Sequence, residues 1–164
     1  MVNSRIIETR GDSVTRVYIE TTIFNRTFEE GREFSEASRK LFDMIAAGEI
    51  EAITSTAALG ELEDCPEPKR SQMLTLIQRL KIPVLEVDQE AYDLADVYIE
   101  MGVVPAKYRL DGVHIAMAAL HGTDCIVSLN FHHINRLKTK TATEIIHRMK
   151  GYTNPFICTP MEVI

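Results

Sequence analysis

RVYIE, residues 16–20, is a run of β-branched and aromatic residues that ends on a carboxylate and is bounded upstream by Gly11 and Asp12. Such a run reads as a buried strand. Downstream, a helix is predicted from about Glu33, with Phe34, Ala37, Leu41 and Ile45 on one stripe and Gly48 as its stop. EAIT (51–54) makes a second strand, and the hydroxyl of Ser55 or Thr56 is placed to cap the helix after it. Pro66 and Pro68 open a third helix, with Met73, Leu76, Ile77 and Leu80 at helical spacing, and Pro83 ends it. VLEV (84–87) is the third strand. Asp88 caps a helix whose inner stripe is Ala91, Leu94, Ala95 and Tyr98, ending at Gly102. Leu110–His121 has little polar surface and reads as a buried helix. CIVSL (125–129) is the fourth strand, Thr141–Lys150 the last helix and Phe156–Thr159 the last strand. Strands that alternate with helices, with no tight hairpin between them, imply an α/β protein: a three-layer α/β/α sandwich around a mainly parallel, five-stranded sheet.

The chain of 164 residues, 45% hydrophobic and 26% charged, has the size and make-up of one soluble domain that needs no disulfide to hold its core. Residues 1–14 read as a loose leader and residues 15–164 as a single domain. Cys65, Cys125 and Cys158 show no metal-ligand spacing, and three thiols fit a reducing compartment better than a disulfide framework. No apolar run is long enough for a membrane span, and the start lacks the apolar core of a signal peptide, so a cytoplasmic location is expected.

In a parallel sheet, sites form outside the carboxyl ends of the strands. Glu20 closes the first predicted strand, followed by Thr21 and Thr22, and Asn130 closes the fourth. Glu61 lies between one and two turns into the helix after the second strand. Asp111 stands in the first turn of the buried helix before the fourth strand. Each acid has an ordinary alternative: a polar strand end, an exposed helical residue, and a charge favourable to a helix dipole. Together they place three carboxylates and a carboxamide near one end of the sheet. Gathering carboxylates costs electrostatic energy unless a cation compensates. Oxygen donors without Cys or His suit Mg²⁺ or Mn²⁺ rather than zinc, and such an ion serves phosphoryl chemistry.

Four blocks in order, VYIETTIFN (17–25), ITSTAALGEL (53–62), LDGVHIAMAAL (110–120) and IVSLNFHHI (126–134), resemble the successive blocks of a PIN domain, close to the VapC-like toxins. The closing GYTNPFICTPMEVI (151–164) resembles the tail of one bacterial and archaeal branch. The resemblance spans roughly residues 16 to 164 and implies a five-stranded parallel sheet, Mg²⁺ or Mn²⁺ in an acidic pocket, and hydrolysis of single-stranded or structured RNA to 5′-phosphate and 3′-hydroxyl ends. Glu20 matches the family's first acid, usually Asp. Glu61 matches the second and Asp111 the third. Asn130 matches the last, often Asp, and its neutrality weakens a second metal position. The implied roles are catalysis by Glu20, Glu61 and Asp111, and metal ligation by Glu20, Asp111 and Asn130. The resemblance further implies an antitoxin partner protein and a homodimer.

Net charge is −6, where a uniformly basic surface is the usual footprint of a nucleic-acid enzyme. The charge is uneven. Glu86 to Glu100 holds six acids and no Lys or Arg, which reads as a solvated or partner-facing helix face. His132 to Lys150 holds five bases and three histidines against Glu144 alone, and is the best candidate for meeting phosphates. Within and near it, Thr22, His132, His133, Lys138 and Lys140 are the candidate substrate contacts. His114, one turn after Asp111, reads as a core histidine rather than a general base. The alternatives to a ribonuclease are a catalytically weak PIN-fold RNA-binding or regulatory module and, more distantly, a metal-dependent phosphatase.

Overall fold

The structure is a computed structural model that describes residues 13–164. The expected leader falls almost wholly on residues 1–12, which lie outside the described residues, as do Gly11 and Asp12. Five strands run parallel: β1 (Thr15–Ile19), β2 (Ile50–Ser55), β3 (Val84–Leu85), β4 (Cys125–Val127) and β5 (Phe156–Cys158), in the order β3-β2-β1-β4-β5. The sheet is therefore parallel throughout, as the alternation of elements predicts.

Alternation along the strands explains the three layers. Val17 and Ile19 of β1 face one side with Ala52, Cys125, Val127 and Cys158, while Tyr18 faces the other with Ile53, Ile126 and Ile157. Strands apolar on both faces need cover on both. The first face packs on α1 (Thr21–Thr27), α2 (Ser35–Ala46) and α4 (Lys69–Leu80) through Phe24, Leu41 and Met73; the second packs on α5 (Gln89–Glu100), α6 (Arg109–Leu120) and α7 (Leu137–Lys150). The α5–α6 contact is close because Gly112 faces it: a Cβ there would stand 3.3 Å from that of Ala95. Among the described residues no helix is long and apolar enough to cross a membrane.

Several local expectations are corrected. Residue 20 is not the last strand residue but the N-cap of α1, a helix the sequence reading lacked. Phe34 is the left-handed residue that starts α2 (φ 66°), not a member of its inner stripe. Neither Ser55 nor Thr56 caps α3 (Thr56–Glu63): the Ser55 hydroxyl bonds Tyr18 instead, and Thr56 accepts the Val87 amide. The last long helix starts at Leu137, four residues before the predicted Thr141, and a short helix α8 (Pro160–Val163) closes the chain. Asp88 does cap α5, accepting the Ala91 amide at 3.0 Å.

Candidate active site

The strand order makes β1 the switch point: the chain moves outward on one side through β2 and β3, then returns to the other side of β1 as β4. In such sheets the crevice opens at the carboxyl ends of the two central strands. Here those ends are residues 19–20 and 127–130, tied together by the Glu20 amide donating to the Val127 carbonyl at 3.1 Å.

Glu20 is 2% exposed. Its Oε2 accepts from the Thr22 amide (3.2 Å), the Thr22 hydroxyl and the Ser128 hydroxyl (2.9 Å). Thr22 Oγ1 in turn accepts from the Leu129 amide and Ser128 Oγ from the Asn130 amide, so the acid fastens the end of β1 to the loop after β4. Burial pushes the Glu20 carboxyl above its ordinary value, and the charge of Glu61 adds to this, against the lowering by His114 and the two hydroxyls.

On α3, Glu61 Oε1 accepts from the Thr21 hydroxyl (3.0 Å) and from His114 Nε2 (2.5 Å). His114 is fully buried, and its Nδ1 bonds the Tyr18 hydroxyl (2.7 Å), itself bonded to Ser55 (2.7 Å). Burial opposes charge on this imidazole, but Tyr18, the bond to Glu61 and the charges of Glu20 and Glu61 outweigh it, so its pKa stands well above the ordinary value. Burial likewise raises Glu61, and its bond and attraction to His114, with help from Thr21, lower it further than that, to a net fall. With its pKa raised in this way, His114 counters the mutual repulsion of the two glutamates whenever it carries a proton. His114 lies in the core, as its sequence context predicts, with both nitrogens bonded; its spacing from Asp111 gives no sign of its reach to Glu61.

Asp111, in the first turn of α6, has its Oδ2 held by His133 Nδ1 at 2.7 Å. His133 is placed by its own amide, which donates to Asn130 Oδ1 at 3.0 Å. The start of α6 is fixed from outside: Arg109 forms two hydrogen bonds to Asp96 (2.7 and 2.9 Å) and lies over the Tyr92 ring. Part of the acidic run therefore serves as an anchor for the helix that carries Asp111.

All three acids share one arrangement. One oxygen of each is held by protein donors, and the other makes no protein hydrogen bond among the described residues. Glu20 and Glu61 are close enough to feel each other's charge, whereas Asp111 is not among the charges that shift either. Among the described residues no group of three or more His, Cys, Asp or Glu stands together to hold a metal ion. The free oxygens nevertheless fit a hard divalent cation, since Mg²⁺ keeps several waters and commonly takes one or two carboxylates rather than a complete protein cage.

Of the basic segment, Arg136 is committed to the Val103 carbonyl and Thr139, and Arg148 to Glu144. Lys138 and Lys140 form no ion pair among the described residues; Lys140 lines a groove over β5 with Phe156 and Cys158, which contains none of the acids. His132 is exposed, and His133 is the one histidine of that pair that reaches an acid.

No protein-family model and no curated protein matches this chain. Solved structures do match it. One is VapBC2 from Rickettsia felis, bound to a DNA fragment from its promoter: 10% identity, TM-score 0.57, covering 88% of this chain and 98% of that one. Another is VapC20 of Mycobacterium tuberculosis, a toxin that cleaves the sarcin-ricin loop: 16% identity, TM-score 0.50, covering 71% of this chain and 92% of that one. At these identities the likeness is one of fold. The fold is that of VapC-like PIN-domain proteins, as the four sequence blocks imply.

Proposed function

We propose that the protein is a metal-dependent endoribonuclease that hydrolyses RNA phosphodiester bonds, acting as the toxin of a toxin–antitoxin pair. What supports this reading is that Glu20, Glu61 and Asp111 are each anchored through one oxygen with the other left open, Glu20 at the end of β1 and Asp111 tied through His133 to the loop after β4. The fold shared with a toxin that cleaves the sarcin-ricin loop supports it. The antitoxin partner is inferred from the likeness to VapBC2, and the homodimer and cytoplasmic location from the sequence.

Glu20, Asp111 and Asn130 would hold Mg²⁺ or Mn²⁺. When bound, the ion supplies a polarised phosphoryl oxygen and a water of lowered pKa. The chain's own residues do the rest. Glu61, ionised and held by His114, orients the attacking water through Oε2; its lowered pKa favours orientation over proton abstraction. His133 holds Asp111 in one rotamer, and Thr22 and Ser128 do the same for Glu20. Thr22, His132, His133, Lys138 and Lys140 are the proposed substrate contacts, with Lys138, in the first turn of α7, better placed than Lys140.

A second reading, a catalytically weak RNA-binding or regulatory module, is favoured by Asn130, whose Oδ1 is already taken by the His133 amide. Incubating a mixed RNA pool with Mg²⁺, with Mn²⁺ and with EDTA separates the two. Cleavage that EDTA abolishes is expected; binding without cleavage in any metal would leave the regulatory reading in its place.

A further inference from the structure

Three residues before Asp111, at the end of the 3-10 turn Ala106–Tyr108, the Tyr108 side chain lies at the mouth of the crevice with 43% of the residue exposed. Its ring rests on the His133 imidazole, with centroids 4.2 Å apart and planes at 34°. This is the imidazole that holds Asp111. The Lys107 ammonium lies over the same ring, 5.6 Å from its centroid, and the Tyr108 hydroxyl makes no protein hydrogen bond among the described residues. An aromatic side chain needed only for packing is ordinarily buried, and a buried hydroxyl ordinarily finds a partner. Here neither holds. Beyond the contacts with His133 and the mobile-ended Lys107 side chain, the residue stays open to water beside an acid of the site. A second exposed aromatic, Phe131, follows Asn130 directly and packs on Phe34.

Resting on the nuclease reading above, we infer that Tyr108 is a stacking platform for one unpaired base of the RNA, with Lys107 beside it to meet the adjoining phosphate. Aromatic faces stack on any base because every base has a π-face, and only an unpaired base can be splayed onto one. The platform rests on the ring that holds Asp111, so the stacked base lies next to the bond that is cut.

The test uses the full chain and an oligouridylate carrying one 2-aminopurine, whose fluorescence falls when it stacks. Wild type quenches the probe and cleaves the oligomer in Mn²⁺. Tyr108→Leu loses the quenching and raises KM roughly ten- to hundredfold with kcat nearly unchanged, and Tyr108→Phe restores both. Wild-type cleavage with unaltered quenching and KM in Tyr108→Leu overturns this inference and leaves the nuclease reading standing. A fall in kcat at constant KM also overturns it, because Tyr108 would then act only by positioning His133. Wild-type protein that neither binds nor cleaves overturns both. If Tyr108→Leu does not fold, Tyr108→Trp decides: its larger face lowers KM, and an unchanged KM rejects the platform.

Discussion

Replacing His114 with glutamine removes the titratable ring from a fully buried place while leaving a donor long enough to reach Glu61. The wild-type ring makes two bonds, at 2.7 Å to Tyr18 and 2.5 Å to Glu61. Glutamine keeps the second with an uncharged donor on the carboxylate and gives up the first, and Tyr18 retains Ser55. A neutral hydrogen bond contributes about 1 kcal/mol and one to a charged group about 1.5–3 kcal/mol, so one loss and one downgrade come to roughly 2 kcal/mol. For a chain of this length that is a fall of about 4–8 °C in melting temperature. The pH dependence gives the sharper test. The pKa of His114 is raised in the fold, so its contribution is fully present below the unfolded value of about 6.5 and is lost as pH rises through the folded value. The gap between wild type and His114→Gln, measured by calorimetry in EDTA, is therefore largest at about pH 6 and narrows toward alkaline pH. A gap that is constant, or that widens at high pH, would mean the buried imidazole is neutral and does not balance the glutamates.

Asp111→Asn should fold normally and cleave RNA about a hundredfold more slowly or worse, on the order of 3 kcal/mol of barrier; full activity in a folded variant removes Asp111 from the site. Glu20→Gln should melt higher than wild type in EDTA near neutrality, because burial raises this carboxyl and its ionised form weighs against the fold there. A lower melting temperature would show that the charged bonds from Thr22 and Ser128 outweigh desolvation. Lys138→Gln should reduce the slope of log affinity for RNA against log salt by about 0.7, the value for one phosphate on a single strand; adding Lys140→Gln shows whether the groove over β5 takes part, and an unchanged slope in the double variant places the RNA elsewhere. Asn130→Asp keeps an acceptor for the His133 amide and adds a charge, so Mn²⁺ titration should give a tighter weak site and half-maximal cleavage at lower metal; equal affinities would show that residue 130 is not a ligand.

The strands, their parallel pairing and the end of the sheet that carries the acids were legible in the sequence because apolar period and strand ends are local properties. The hydrogen-bonded frame was not. The Ser128–Glu20 bond joins residues 108 positions apart, and the His114–Glu61 bond residues 53 apart, and neither leaves a local mark. One signal was available: Tyr18 sits mid-strand among aliphatic neighbours, and a buried tyrosine hydroxyl calls for partners, here Ser55 and His114. Helix α1 is not legible because TTIF is as β-prone as the strand before it, while the helix rests on the Glu20 cap and on burial of Ile23 and Phe24 against distant elements. Phe34 was misplaced because its apolar character matched the stripe, while its left-handed backbone comes from the turn that precedes α2.

The close approach of α5 and α6 at Gly112 has a bearing on how variants of this protein would be read. The atoms a Cβ would meet are Ala95 Cβ at 3.3 Å and, at 3.5 Å, Ala95 Cα and Tyr98 Cδ2, all on a neighbouring helix with little room to yield. A valine there must push α6 outward, overpacking of a kind that costs about 1–3 kcal/mol, and the residue carried along first is Asp111. In a screen scored by RNA cleavage, changes at position 112 would collect among the inactive clones beside those at Asp111. They would look like hits in the catalytic machinery although the glycine touches none of it. A second-site change of Ala95 to glycine would restore the room, and recovery of RNA cleavage by that route would mark the defect as one of helix spacing.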